Sequence, residues 1–148
     1  GSTVLSAHLF LFYFAIKSGS TPPVALVAVV AASIAEANWF RTAMTAFIHS
    51  LPGFAVAFMF LYQPALLFDG TSDEIFFAIL KATLAVLAIT SGIQGWLLSW
   101  LSLGERLVLI LSGIAVFNEL LTINLVGFIL ISAIFFFRYF YPEVKIIK

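Results

Sequence analysis

Acidic and basic side chains are sparse along this chain and leave long uncharged intervals between them. Residues 42 to 68, 82 to 104 and 120 to 137 contain no Asp, Glu, Lys or Arg. A helix rises about 1.5 Å per residue and the hydrocarbon core of a bilayer is about 30 Å thick, so a crossing needs roughly 20 mostly apolar residues. Each of these intervals is long enough to cross. Residues 107 to 118, between Arg106 and Glu119, are shorter and predict a tight fourth crossing. The opening stretch, Val4 to Ala35, predicts a fifth, interrupted at Gly19-Ser20-Thr21-Pro22-Pro23. The expected fold is therefore all-α: a polytopic transmembrane helical protein of about five crossings, the first a discontinuous, broken helix. An alternative for the second crossing makes residues 39 to 50, with Arg41 and His49, an interfacial amphipathic helix that leads through Pro52 into a span over 53 to 68.

Composition agrees with the pattern. Of 148 residues, 63% are hydrophobic and 9% charged, and the mean hydropathy is +1.15. A soluble domain carries about 25% charged residues to keep its surface wetted, and this chain has too few to do so. Seven Lys and Arg balance seven Asp and Glu, so no basic surplus exists to neutralise phosphates, and nucleic acid is not an expected partner. Cysteine is absent, which removes disulfides, thiolate metal sites and cysteine nucleophiles. No repeat or low-complexity linker divides the chain. The stretch from Asp69 to Glu74 is the expected boundary between residues 1–68, the broken helix with its packing partner, and residues 69–148, a C-terminal tail of three membrane helices.

The placement of charge predicts an orientation, because cytoplasmic loops collect Lys and Arg. With Arg138, Lys145 and Lys148 inside, alternation puts 118–124 with Glu119 outside, 102–106 with Arg106 inside, 69–74 with Asp69, Asp73 and Glu74 outside, and 36–41 with Arg41 inside. The N-terminus is then outside and the C-terminus cytoplasmic. Trp39, Trp96, Trp100, Tyr139 and Tyr141 all fall near the inner interface, where amphipathic rings anchor.

The interruption carries the chemistry. Inside a bilayer, backbone N–H and C=O groups freed from a helix find no water, so a break survives only where protein or a lined cavity surrounds it. Gly19 suits a left-handed helix end, Ser20 or Thr21 suits the cap of the next helix, and Pro22 suits its first position. The halves, Val4 to Ser18 and Pro23 to Ala35, reach roughly 22 and 20 Å, which sets the break near mid-membrane. Carbonyls ending the first half carry partial negative charge and N–H groups opening the second carry partial positive charge. The expected site is Gly19, Ser20, Thr21, Pro22 and Pro23, with Na+ held by oxygens of Gly19, Ser20 and Thr21 and an organic anion facing the second half. The competing reading is a loop or kink without a ligand. Ala28, Ala31, Ala32 and Ala35 give the second half a small-residue face for close helix contact.

These residues resemble a family. His8-Leu9-Phe10, Phe12-Tyr13-Phe14, Thr21-Pro22-Pro23-Val24-Ala25-Leu26, Arg41-Thr42 and Pro64-Ala65-Leu66-Leu67 are similar to the large membrane (permease) subunit of TRAP transporters, the tripartite ATP-independent periplasmic carriers, in particular TAXI-type fused permeases. The specific match covers residues 8 to 68, and 75 to 141 look like the helical tail of those permeases. The resemblance implies the C-terminal part of a secondary active solute:cation symporter in a bacterial inner membrane. It implies as partners a periplasmic solute-binding protein, a small carboxylate-containing solute and the remaining membrane segments of the permease. The Thr-Pro-Pro element then corresponds to a discontinuous helix lining the ion and substrate site.

Lys17, two residues before Gly19, is an expensive charge at that depth: it snorkels, pairs with a carboxylate on a missing segment, or takes the place of a bound cation, and pairing or substrate contact fits it better than snorkelling. His8 and His49 have no carboxylate at ligand spacing, so a buried, hydrogen-bonded His8 is expected in place of a metal site. Glu119 reads as solvated in an outer turn, and Ser91, Gly92 and Gly95 as a patch that packs another helix. No nucleophile–base pair is in sequence reach, so neither an enzyme nor a cofactor is expected. The alternative function is a noncatalytic helical membrane scaffold or assembly subunit.

Overall fold

Helices account for the chain in a computed structural model that describes residues 4–118 and 120–141. They are α1 (Val4–Ser18), α2 (Leu26–Ile34), α3 (Trp39–Tyr62), α4 (Ser72–Gln94), α5 (Leu103–Ala115) and α6 (Leu121–Phe140). A two-residue-per-strand hairpin, β1 (Trp96–Leu97) and β2 (Ser99–Trp100), joins α4 to α5. Three helices, α3, α4 and α6, are long and apolar enough to cross a bilayer. Burial runs opposite to that of a soluble domain. Among the described residues, Ala25, Ala28, Ala32, Ala43, Ala57, Ala78, Ala85 and Ala88 are buried, while Leu11, Phe12, Phe76, Phe77, Leu87 and Phe136 are exposed. Small residues let helix backbones approach and large apolar ones face hydrocarbon, which is how helices pack in lipid. This is an all-α membrane protein.

The chain divides into two compact units, Gly1–Ile75 and Phe76–Lys148. In the first, α3 is one helix of 24 residues, long enough at about 36 Å to span alone. Asn38 caps it by accepting the Arg41 N–H at 3.0 Å. Pro52 lies buried inside it without ending it, so the interfacial helix considered for 39–50 is instead the first half of a continuous rod. The rod stops at Tyr62 and not at Phe68, because Pro64 pushes Gln63 out of helical geometry, to φ −130°, and opens a short 3-10 turn over Pro64–Leu67. Both α1 and α2 pack along α3.

Caps fix the boundaries of the later helices. The Thr71 N–H donates to Glu74 Oε2 at 2.8 Å and the Glu74 N–H to Thr71 Oγ1 at 3.4 Å, which starts α4 at Ser72, inside the segment 69–74 expected as an outer loop. Asp73 and Glu74 in its first turn complement the helix dipole, which an uncharged-interval rule misreads as a loop. α4 ends at Gln94 because Gly95 adopts φ +75°. Ser102 and Glu105 form a reciprocal capping box that starts α5 at Leu103, inside the segment expected as an inner loop. Likewise α6 covers 121–140 and not 120–137.

Close approach within the second unit is set by glycines. A Cβ on Gly92 would lie 2.8 Å from the Arg106 carbonyl oxygen, and one on Gly127 would lie 2.9 Å from the Ser112 carbonyl oxygen and 3.1 Å from the Val116 nitrogen. The patch around Gly92 thus packs a helix, as its composition suggests. Asn124, buried in α6, donates to the Val116 carbonyl at 2.7 Å and satisfies the C-terminal end of α5. Glu119 lies outside the described residues, as do Lys145 and Lys148.

Because the Gly127 contact is with backbone, which cannot step aside, Gly127→Ala is expected to destabilise the protein by about 1–3 kcal/mol. Gly104→Ala, where nothing lies within 4 Å, should be neutral or slightly stabilising. Unfolding midpoints of the two variants in detergent micelles, followed by circular dichroism, check the pair.

Candidate functional site

The break between α1 and α2 begins with two missing donors. Pro22 and Pro23 have no N–H to give the carbonyls four residues earlier, those of Ser18 and Gly19. The structure satisfies both carbonyls by other routes. Ser18 O accepts the Thr21 N–H at 3.2 Å, and Gly19 O accepts the Val27 N–H, from the first turn of α2, at 3.0 Å. Lys17 O accepts the Ser20 N–H at 3.1 Å, the Ser20 hydroxyl at 3.1 Å and the Thr21 hydroxyl at 2.7 Å. The Pro22–Pro23 peptide bond is cis.

Several expectations change here. The left-handed residue is Ala25, at φ 39° and ψ 38°, not Gly19. A left-handed alanine costs about 1–2 kcal/mol, and burial of its methyl against Ala28 and Ala43 holds it there. The second half begins at Leu26, not Pro23, and ends at Ile34. Ser20 and Thr21 close the end of α1 and do not cap α2. The facing poles of the two half-helices are joined directly, through Gly19 O and Val27 N–H. Oxygens of Gly19, Ser20 and Thr21 keep lone pairs beyond these bonds, since a hydroxyl that donates still accepts and a carbonyl has two acceptor positions.

The depth of the break relative to α3 follows from the contacts. Phe10 packs edge-on against Phe58 at 5.3 Å between centroids, and Phe14 packs on Phe54 at 5.0 Å. Lys17 lies against Gly53, while Ala25 and Ala28 meet Ala43 and Ala46. α1 and α2 therefore run antiparallel along α3 as one interrupted line. Of the small face, Ala28 and Ala32 are buried while Ala31 and Ala35 are exposed, because the contact rotates toward Ala25. The gap between the halves falls level with residues 46 to 53, and the midpoint of Trp39–Tyr62 is at Ser50 and Leu51. At 15 and 9 residues, neither half reaches the roughly 20 that a crossing takes.

Lys17 carries the charge of this region. Its side chain turns from the last turn of α1 toward α3, where the ammonium sits 5.8 Å from the centroid of the Tyr13 ring. No carboxylate among the described residues forms an ion pair with it; the ion pair found among them is Arg138–Glu105. His8 is hydrogen-bonded as expected, its Nδ1 2.8 Å from Val4 O, but it is exposed and not buried because it needs only its own helix for a partner. His49 repeats this with Thr45 O at 2.8 Å.

A second polar cluster, in the other unit, joins charges that sequence reading leaves as separate loop markers. Arg138, 1% exposed near the end of α6, binds both carboxylate oxygens of Glu105 and donates to Ser99 Oγ at 3.2 Å. Arg106 donates to Gly92 O at 2.9 Å and Ile93 O at 2.8 Å, closing the end of α4. The hairpin with Trp96 and Trp100 thereby shares one end of this unit with Tyr139 and Tyr141. Glu105 and Arg138, 33 residues apart on two helices, give no local spacing signal; only the fold brings them together.

No known family, curated protein or solved structure matches this chain.

Truncating one partner of a buried ion pair leaves the other charge uncompensated. Arg138→Met is expected to cost about 3–5 kcal/mol, and adding Glu105→Gln should restore a substantial part of it. Denaturant unfolding in micelles, read by the fluorescence of the hairpin tryptophans, gives the coupling between the two sites.

Proposed function

We propose that this chain is the C-terminal part of a secondary active symporter permease of the TRAP type, taking up a small organic carboxylate with Na+ as coupling ion. On this reading it lies in a bacterial inner membrane with its C-terminus cytoplasmic. A periplasmic binding protein delivers the solute, and the remaining membrane segments of the permease complete the site. The observation that carries the reading is the level of the break: a proline-made interruption placed at mid-length of an unbroken spanning helix, beside a lysine that forms no ion pair among the described residues. Non-helical backbone at membrane depth is found where ions and solutes are handled. Gly19, Ser20 and Thr21 would offer oxygens to the cation, Pro22 and Pro23 would hold the break open, and Lys17 would face the carboxylate.

The scaffold reading has one observation in its favour, the closure of the break by its own hydrogen bonds. Single cysteines placed at positions 19 to 23 of the cysteine-free carrier separate the two. With acetate, succinate and glutamate as probes, the carrier reading expects slower maleimide labelling at one or more of these positions, deeper in Na+ than in choline. Equal labelling at every position in every condition would reject the carrier and leave the scaffold.

A further inference from the structure

We propose that Lys17, Tyr13 and Gly53 form the seat for a single carboxylate at the α1–α3 contact, and that the anion it takes is a monocarboxylate; the placement rests on the carrier reading. The lysine side chain does not run along the helix toward an interface, as a snorkelling lysine does. It crosses to α3, where both Cε and Nζ lie 2.6 Å from the position a Cβ on Gly53 would take. Any residue larger than glycine there would push the ammonium out. Tyr13, one turn before Lys17 on the same face, brings its hydroxyl to 3.5 Å from that same point.

The ammonium and the phenol hydroxyl thus lie beside the same glycine near the midpoint of α3, and the ammonium has no acceptor there among the described residues. A carboxylate is the complementary group: it is acceptor-only and has two oxygens, one for the ammonium and one for the phenol. It also supplies the countercharge that an ammonium at this depth needs. The remaining surroundings set the class. Phe14, Phe54 and Phe58 pack together on the adjoining α1–α3 surface, which suits an apolar tail. The other formal cation of this unit, Arg41, is twelve residues before Gly53 along α3, about 18 Å away along the axis. A second carboxylate on the same solute would enter an apolar surface unpaired.

The test uses the full chain in lipid nanodiscs, with lysines labelled at 13Cε and the Lys17 resonance assigned by its loss in Lys17→Arg. Butyrate is expected to shift that resonance saturably, butyramide to leave it unmoved, and succinate to bind about tenfold more weakly or worse. Tyr13→Phe should weaken butyrate about 3- to 10-fold. Gly53→Ala should abolish the response while leaving the helical circular dichroism intact, since the clash is with the flexible end of a side chain and alanine favours the helix. A Lys17 resonance silent to butyrate at tens of millimolar, equally responsive to butyramide, or more responsive to succinate would overturn the proposal. Uptake by the reconstituted carrier with a silent Lys17 removes this site alone. A saturable butyrate response without uptake keeps the site and removes the carrier.

Discussion

A peptide group in hydrocarbon must find its hydrogen-bond partner within the protein, and the first unit is shaped by how it meets that demand. Two consecutive prolines remove the donors for the Ser18 and Gly19 carbonyls, and the chain replaces them with Thr21 and Val27. The second replacement reaches across the gap, so it fixes where α2 starts relative to where α1 ends. Ala25 accepts a left-handed conformation as a result, and the alanine interface with α3 follows from that direction of entry. The position of Lys17 opposite Gly53 is a further outcome of the same register.

Both units use space in the same way, with small residues inside and bulky apolar ones outside, yet they hold their helices by different polar devices. The first relies on backbone bonds and hydroxyls within a short stretch of chain. The second uses guanidinium groups that reach across elements: Arg106 onto the end of α4, and Arg138 onto Glu105 and Ser99. Planar, multiply donating side chains suit that task, since one guanidinium can close several acceptors at once. Glu105 serves twice, as the partner of Ser102 in a capping box and as the countercharge of Arg138.

Much of this is legible in the amino-acid sequence. The apolar intervals marked the long helices, and Pro22-Pro23 marked the break, because proline acts through covalent structure and needs no tertiary context. Helix limits were less legible. The loop expected over 69–74 takes in the first turn of α4, since Asp73 and Glu74 belong to the helix, where a cap and the dipole hold them. Gly19 looked like the left-handed residue and Ala25 did not, since burial in a particular contact outweighed intrinsic preference. Around the candidate site, Lys17 stood out as a misplaced charge, but Tyr13 and Gly53 did not, because their meaning exists only where α1 and α3 touch. The same holds for Arg138 and Glu105.

The order of those two residues along the chain matters for how the protein is made. A ribosome releases the acid, in α5, before the base that needs it. By the time the guanidinium of α6 emerges, the carboxylate at the start of α5 has already been synthesised. Reversing the pair would present a lone arginine first, with no neutralising group yet synthesised.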